Sequence, residues 1–329
     1  MTTAKRLLGL VGMLGALAVL PVQAQTEVVL HSFAKSTGRY PYGGVIRDSA
    51  GNLYGTTTYG GANGSGVVYN LDTAGQYTVR YAFTGGIDGG YPLAGLIRDS
   101  RGDLYGTTEL GGTAHAGVVF KLDATGHETV LYTFSGGADG RYPCASLVRD
   151  SVGNLYGTTD QGGTAGYGVV YTVNPAGQEK VLYSFTGGAD GGSPSYAGVV
   201  RDSSGNLYGA TIQGGSSGVG VVYTIDTAGT ETVLYSFTDG DDGAYPYGSL
   251  IRDSSGNLYG VAHSGGATNG GVVFKVDTTG NEEVLYNLAG GVDGYYPEGG
   301  VIRDPKGKLY GATLGGGKNN LGAIFEIKP

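Results

Sequence analysis

The sequence predicts an all-β chain folded as a six-bladed β-propeller of four-stranded blades. Three observations predict it. The tripeptide Leu-Tyr-Gly recurs with its tyrosine at positions 54, 105, 156, 208, 259 and 310, spaced by 51, 51, 52, 51 and 51 residues. A fixed period of this length marks a repeat architecture. Each unit holds four short runs rich in Val, Ile, Tyr, Phe and Thr, bounded by glycine-rich turns, the pattern of one antiparallel blade. Finally, the two ends are complementary. The last unit supplies three runs, over residues 300–328, whereas the first run, residues 27–33, matches the fourth run of a unit. Placed against the last blade, that N-terminal strand would close the ring and leave no open edge. An open β-solenoid is the alternative, and it has no need of complementary ends.

The chain opens with a leader pattern. Lys5 and Arg6 precede an uncharged apolar stretch, residues 7–20, followed by Pro21-Val22-Gln23-Ala24. Small residues stand where a signal peptidase cleaves. The stretch is shorter than the about 20 residues of a spanning helix. Residues 1–24 are therefore expected to be a Sec-type signal peptide cut after Ala24, with an uncleaved anchor as the alternative. Residues 25–329 then form a single repeat domain, secreted or periplasmic, with no membrane insertion after cleavage.

Within a unit the four runs are named A to D. In the second unit they are residues 95–99, 104–108, 117–123 and 128–134. Val118-Val119-Phe120 and Val130-Leu131-Tyr132 are continuously apolar, as in a strand covered on both faces. The A–B and C–D connections read Asp-x-x-Gly, as in Asp48-Ser49-Ala50-Gly51 and Asp72-Thr73-Ala74-Gly75. This is a type I turn in which Asp bonds the backbone and Gly takes a positive φ. Asp304-Pro305 and Asn174-Pro175 put proline second, where its fixed φ suits that turn. These repeated acids have a structural task.

Composition excludes several classes of function. Of 329 residues 67 are glycine, with 26 Tyr, no Trp, one Cys and a net charge of −8. A lone Cys144 excludes a disulfide framework and any cysteine zinc site, and suits an oxidising compartment. The acidic balance argues against nucleic acid as a partner. A monomer is expected.

Residues present in every unit are scaffold, so those that break the repeat point to function. The B–C and D–A loops lie at one end of every blade and vary. They supply the candidate ligand-binding residues Tyr42, Tyr59, Glu109, Asp160, Tyr167, Tyr247, His263 and Glu298. The bland alternative is that these are ordinary solvated loop residues. The repeated Arg47, Arg98, Arg149, Arg201, Arg252 and Arg303 are expected to pair with a neighbouring blade's carboxylate or carbonyl, with an anion-binding ring as the alternative. The loops also carry Gly-Gly-x-Asp-Gly-type turns at Asp88, Asp139, Asp190, Asp242 and Asp293. One carboxylate per loop is a poor calcium site without backbone oxygens to complete it. No cofactor is expected, with calcium at these five aspartates as the alternative. No catalytic residue is assigned.

The repeat resembles the choice-of-anchor tandem repeat of the GloVer type, found in secreted bacterial proteins. The resemblance is carried by IRDSSGNLYG (251–260), GGVVFKVDTTGNEEVLY (270–286) and VLYSFTGGADG (181–191). It covers residues 27–328. The resemblance implies export, often with a C-terminal anchoring segment, which the ending Glu326-Ile327-Lys328-Pro329 lacks. It implies no activity and no catalytic residues. Three functions remain. The first is a non-catalytic propeller that binds a glycan or an extracellular protein through its variable loops, where tyrosine rings offer flat amphipathic surfaces. The second is a metal-dependent hydrolase, lactonase or lyase with a site at the channel mouth. The third is a structural or surface scaffold module.

Overall fold

The computed structural model describes residues 29–328. The expected signal peptide, residues 1–24, and the first part of the expected closing strand, Glu27 and Val28, lie outside the described residues. Phe33–Pro329 forms one compact unit and residues up to Ser32 belong to another.

The chain is a six-bladed β-propeller. Blade 1 holds β1 (Ile46–Arg47), β2 (Leu53–Thr57), β3 (Val67–Leu71) and β4 (Tyr77–Ala82), and blade 2 holds β5 (Ile97–Arg98), β6 (Leu104–Thr108), β7 (Val118–Leu122) and β8 (Glu128–Thr133). Blade 3 holds β9 (Val148–Arg149), β10 (Leu155–Thr159), β11 (Val169–Val173) and β12 (Glu179–Ser184), and blade 4 holds β13 (Val200–Arg201), β14 (Leu207–Thr211), β15 (Val221–Ile225) and β16 (Glu231–Ser236). Blade 5 holds β17 (Ala244–Arg252), β18 (Leu258–Ser264), β19 (Val272–Val276) and β20 (Glu282–Asn287), and blade 6 holds β21 (Ile302–Arg303), β22 (Leu309–Thr313) and β23 (Ala323–Ile327). Each sheet is an antiparallel meander in chain order.

The inner strands are shorter than the apolar runs predicted. Five of them pair over two residues, and only β17 extends, with Pro246 opposite Ala262 and Tyr247 opposite Val261. The reason lies in the small residues before each strand. Gly43, Gly198 and their counterparts pack closely against neighbouring blades. A Cβ at Gly43 would stand 2.6 Å from the Ala94 carbonyl oxygen, and one at Gly198 would stand 2.7 Å from that of Ser146.

The core sits between blades. Val68 and Phe83 of blade 1 pack with Leu96, Leu104, Val118 and Phe120 of blade 2. In blades 1 to 4 the phenylalanine that ends the D run meets the next blade's third strand edge-on: Phe83 on Phe120 at 5.1 Å, Phe134 on Tyr171 at 5.0 Å, Phe185 on Tyr223 at 5.0 Å and Phe237 on Phe274 at 5.1 Å. Phe33 makes the same contact with Tyr69, at 5.2 Å.

Blade 6 has three strands among the described residues. Residues 29–33, the described part of the expected closing strand, form no strand. Ile324 on β23 is 87% exposed, whereas Val119 at the equivalent position of blade 2 is fully buried.

The turns follow the sequence reading. Gly51 has φ 97° and donates to the Asp48 carbonyl at 3.0 Å, and the Asn52 N–H donates to Asp48 Oδ1 at 2.8 Å. The Leu-Tyr-Gly tyrosine adds a bond that the motif had not shown. The hydroxyl of Tyr54 donates to Asp48 Oδ2 at 3.1 Å, and the carboxyl of Asp48 is lowered, chiefly by its side-chain bond to Asn52.

The repeated arginines correct an expectation. Among the described residues none of the six forms an ion pair with a carboxylate. Arg98 lies over the ring of Tyr54 in the preceding blade at 5.6 Å, and Arg149, Arg201, Arg252 and Arg303 repeat this over Tyr105, Tyr156, Tyr208 and Tyr259. The turn aspartate is already occupied by its own turn, so the guanidinium takes the tyrosine face instead.

Candidate functional site

The Tyr-Pro pairs of the D–A loops build the variable end. Tyr40, Tyr91, Tyr142, Tyr245 and Tyr296, with Ser193 in the fourth unit, all have positive φ, an uncommon conformation for bulky residues. Backbone bonds on both sides hold it. The Tyr142 N–H donates to the Ala116 carbonyl of blade 2 at 2.9 Å, and its own carbonyl accepts from the Asp160 N–H at 3.0 Å. Tyr91 likewise donates to Ser65 at 2.8 Å and accepts from Glu109 at 3.1 Å. Glu109 and Asp160 are therefore fixed by their backbones at the start of the B–C loops. Buried threonines of one blade hold the inner chain of the next in place. Thr56 Oγ1 donates to the Ala94 carbonyl at 2.9 Å, and Thr158 Oγ1 to those of Pro194 and Ala197 at 3.2 Å each.

These loops surround a cavity of about 730 Å3 to which all six blades contribute. Its wall includes Tyr42, Tyr59, Tyr196 and Tyr247, the carboxylates of Glu109 and Glu298, and Cys144. Its floor is the glycine- and serine-rich inner chain, including Gly44, Gly95, Ser146, Ser249 and Gly300. Small side chains there leave the space open above closely spaced backbones.

Two groups of polar residues face this space. The first spans blades 2 to 4. Burial, then the charge of Asp160, raises the carboxyl of Glu109. The Ser195 hydroxyl donates to Asp160 Oδ1. The Cys144 thiol donates to the Tyr142 carbonyl at 3.1 Å and is pushed well up, by burial first and then by Glu109 and Asp160. The second group lies on blades 5 and 6. His263 Nδ1 stands 3.6 Å from Glu298 Oε1, and the ring stacks on Tyr296 at 4.6 Å with planes 13° apart. Burial lowers the imidazole pKa against the opposing pull of Glu298.

Of the sequence candidates, Tyr42, Tyr59, Glu109, Tyr247 and Glu298 line the cavity. His263 contacts the lining at Glu298, and Asp160 acts on the lining groups Glu109 and Cys144 through its charge. Tyr167 does not belong to it. Its ring covers the outer loop at Gly187, where a Cβ would meet ring carbons at 2.6 Å. Tyr167 ends its B–C loop beside the third strand, and this takes it away from the channel.

One cavity residue escaped the sequence reading. Tyr196 has φ 58° and stacks on Tyr247 at 5.9 Å. The signal was the single 52-residue spacing. Tyr196 is the extra residue of the fourth unit, between Ser195 and Ala197.

The aspartates weighed for calcium serve the turns. Asp139 accepts from the Tyr132 hydroxyl at 2.9 Å, the Ser135 N–H at 2.7 Å and the Ser135 hydroxyl at 2.5 Å. Asp88, Asp190 and Asp242 repeat this arrangement, and Asp293 accepts from the Tyr286 hydroxyl and the Ala289 N–H. No group of three or more His, Cys, Asp or Glu able to hold a metal occurs among the described residues.

Comparison with solved structures recovers the fold. A protein from Bacteroides thetaiotaomicron VPI-5482 described as of unknown function matches at TM-score 0.51 and 13% identity, covering 89% of this chain and 70% of its own. A "putative 6-phosphogluconolactonase" from Bacteroides uniformis ATCC 8492 matches at TM-score 0.52 and 16% identity, covering 88% and 85%. Among curated proteins none matches. The family described as the Gloeobacter/Verrucomicrobia repeat matches residues 11–198 and 148–329. With both matches together spanning nearly the whole sequence, the chain belongs to the Gloeobacter/Verrucomicrobia repeat family.

Proposed function

We propose that this chain is an exported, non-catalytic binding propeller whose ligand is a carbohydrate held at the channel mouth. One observation carries the reading. The cavity lined by all six blades combines four tyrosine rings with carboxylates. Sugar faces stack on such rings, and sugar hydroxyls donate to carboxylates. The volume, about 730 Å3, falls within the usual range for a small-molecule site.

A phosphosugar fits less well. Phosphate esters are bound by cationic groups, and the lining residues include neither lysine nor arginine. The lining therefore does not suit the phosphosugar class named for the Bacteroides uniformis structure. Glycoside hydrolysis is the second reading, favoured by one observation. Glu109, with its raised carboxyl, stands near Asp160, as an acid paired with a carboxylate does in such enzymes.

Calorimetric titration with neutral, amino and acidic oligosaccharides tests the proposal. Binding of one class, weakened in Tyr247→Ala and Tyr42→Ala, is the expected result. Heat-silent titrations across all classes would overturn it. Release of new reducing ends during incubation would favour the hydrolytic reading.

A further inference from the structure

The charge of the ligand can be argued from the mouth itself. Glu109 and Glu298 line the cavity, and Asp160 stands close enough behind it for its charge to act on the lining groups Glu109, Cys144 and Tyr196. No lysine or arginine shares the lining. The guanidiniums at the loop ends are turned onto rings, Arg39 over Tyr40 and Tyr59, and Arg141 over Tyr142. Burial lowers the His263 imidazole pKa, which weakens its ability to offset this charge.

The neighbours register the resulting negative field. The Tyr196 phenol is pushed up to about 12, by burial first and then by Cys144, Glu109, Tyr247 and Asp160. Burial also raises the Tyr247 phenol, with Glu298 and Asp160 adding to it. The same tyrosines form the wall, and aromatic faces attract cations through their quadrupole. Carboxylates and ring faces turned to one concave space are suited to a positively charged group, which would relieve the repulsion between Glu109 and Asp160.

We infer that the mouth takes a carbohydrate bearing a protonated amine, an unacetylated amino sugar, with its ammonium group among Glu109, Asp160 and the ring of Tyr196. This rests on the carbohydrate reading and narrows it to one class. Acetylation of the amine removes the charge and with it the attraction. A uronic acid would meet repulsion.

Titration of the whole protein at neutral pH with glucosamine, N-acetylglucosamine and glucuronate oligosaccharides, and with tetralysine, tests this. The glucosamine oligomer is expected to bind about tenfold or more tightly than its acetylated form. The advantage should shrink in Glu109→Gln, in Glu298→Gln, and with added salt, which screens charge. Equal affinity for the acetylated oligomer would overturn the inference while leaving the carbohydrate reading intact. Tetralysine bound as tightly as the amino sugar would also overturn it. If no sugar binds, both fall together.

Discussion

Tyr196 stacks on Tyr247 across the junction of blades 4 and 5, with ring centroids 5.9 Å apart and planes 27° from parallel. Tyr247 is held in the extended strand β17 opposite Val261, while Tyr196 is the inserted residue of its unit. An insertion in an otherwise uniform repeat has been used to place an aromatic ring over the channel. Tyr196 is 49% exposed, so its loss removes little core. Tyr196→Ala should weaken ligand binding about tenfold, the size of one aromatic contact. The thermal midpoint should move by less than about 3 °C. Calorimetry and a melting curve on the same sample check both parts.

The arginine ladder predicts the opposite pattern. Arg252 lies 5.2 Å from the Tyr208 ring centroid at the far end of the same blade junction. Arg252 is exposed, so Arg252→Ala should cost about 0.5–1 kcal/mol of stability, the range of an exposed cation–π contact. Ligand affinity should not change. Urea unfolding measures the first, and an unchanged dissociation constant the second.

Protonation should stabilise the fold. Glu128, Glu179, Glu231 and Glu282 each start a D strand, and each is pushed up to about 7 by burial first and then by an aspartate, Asp88, Asp139, Asp190 and Asp242 in turn. Their Oε1 atoms are buried without a hydrogen-bond partner among the described residues. A carboxyl raised in the folded state binds its proton more tightly there than in the unfolded chain. Stability is then greatest below the unfolded value and falls as pH rises through the folded one. The thermal midpoint should drop as pH increases from about 5 to 7.5. Aspartates with lowered carboxyls, such as Asp48 and Asp253, act below that window. Replacing all four glutamates by glutamine should flatten the dependence. An unchanged slope in that variant would contradict the assignment.

Gly198 tests the closeness of the inner chain. Its N–H donates to Ser249 Oγ at 3.1 Å, and a Cβ would stand 2.7 Å from the Ser146 carbonyl oxygen. Gly198→Ala should destabilise by about 1–3 kcal/mol, the usual cost of overpacking. Chemical denaturation reads this directly. By contrast Gly44, where a methyl group would enter open space, should accept alanine with little loss.

The loop aspartates should respond to neither calcium nor chelator. Asp139 is already surrounded by the donors of Tyr132 and Ser135. Asp139→Ala should cost about 1–2 kcal/mol, as for loss of a capping side chain. Melting curves with millimolar calcium and with chelator should superimpose. A calcium-dependent rise abolished by Asp139→Ala would contradict this.

Much of this was legible in the sequence because repetition averages out local ambiguity. Six copies of Asp-x-x-Gly define the turn better than any single copy, and the Val-Val pairs at 118–119 and 272–273 mark a doubly covered strand. The arginine partners were misread because a charge invites a countercharge, whereas Asp48 and its equivalents were committed to their turns. Tyr167 and Tyr196 show the limit of loop reading. Both lie in variable loops, and only their backbone paths separate the one over Gly187 from the one over the channel.

Cys144 offers the most direct test of the central claim. It is the chain's one cysteine, it lines the mouth, and it is 8% exposed. The measurement is its rate of modification by a thiol reagent, at alkaline pH because its thiol is raised, with and without saturating oligosaccharide. Occupation of the mouth predicts marked slowing with the ligand that calorimetry detects, and none with a sugar that does not bind. An unchanged rate in the presence of a bound ligand would place the ligand elsewhere and contradict the account.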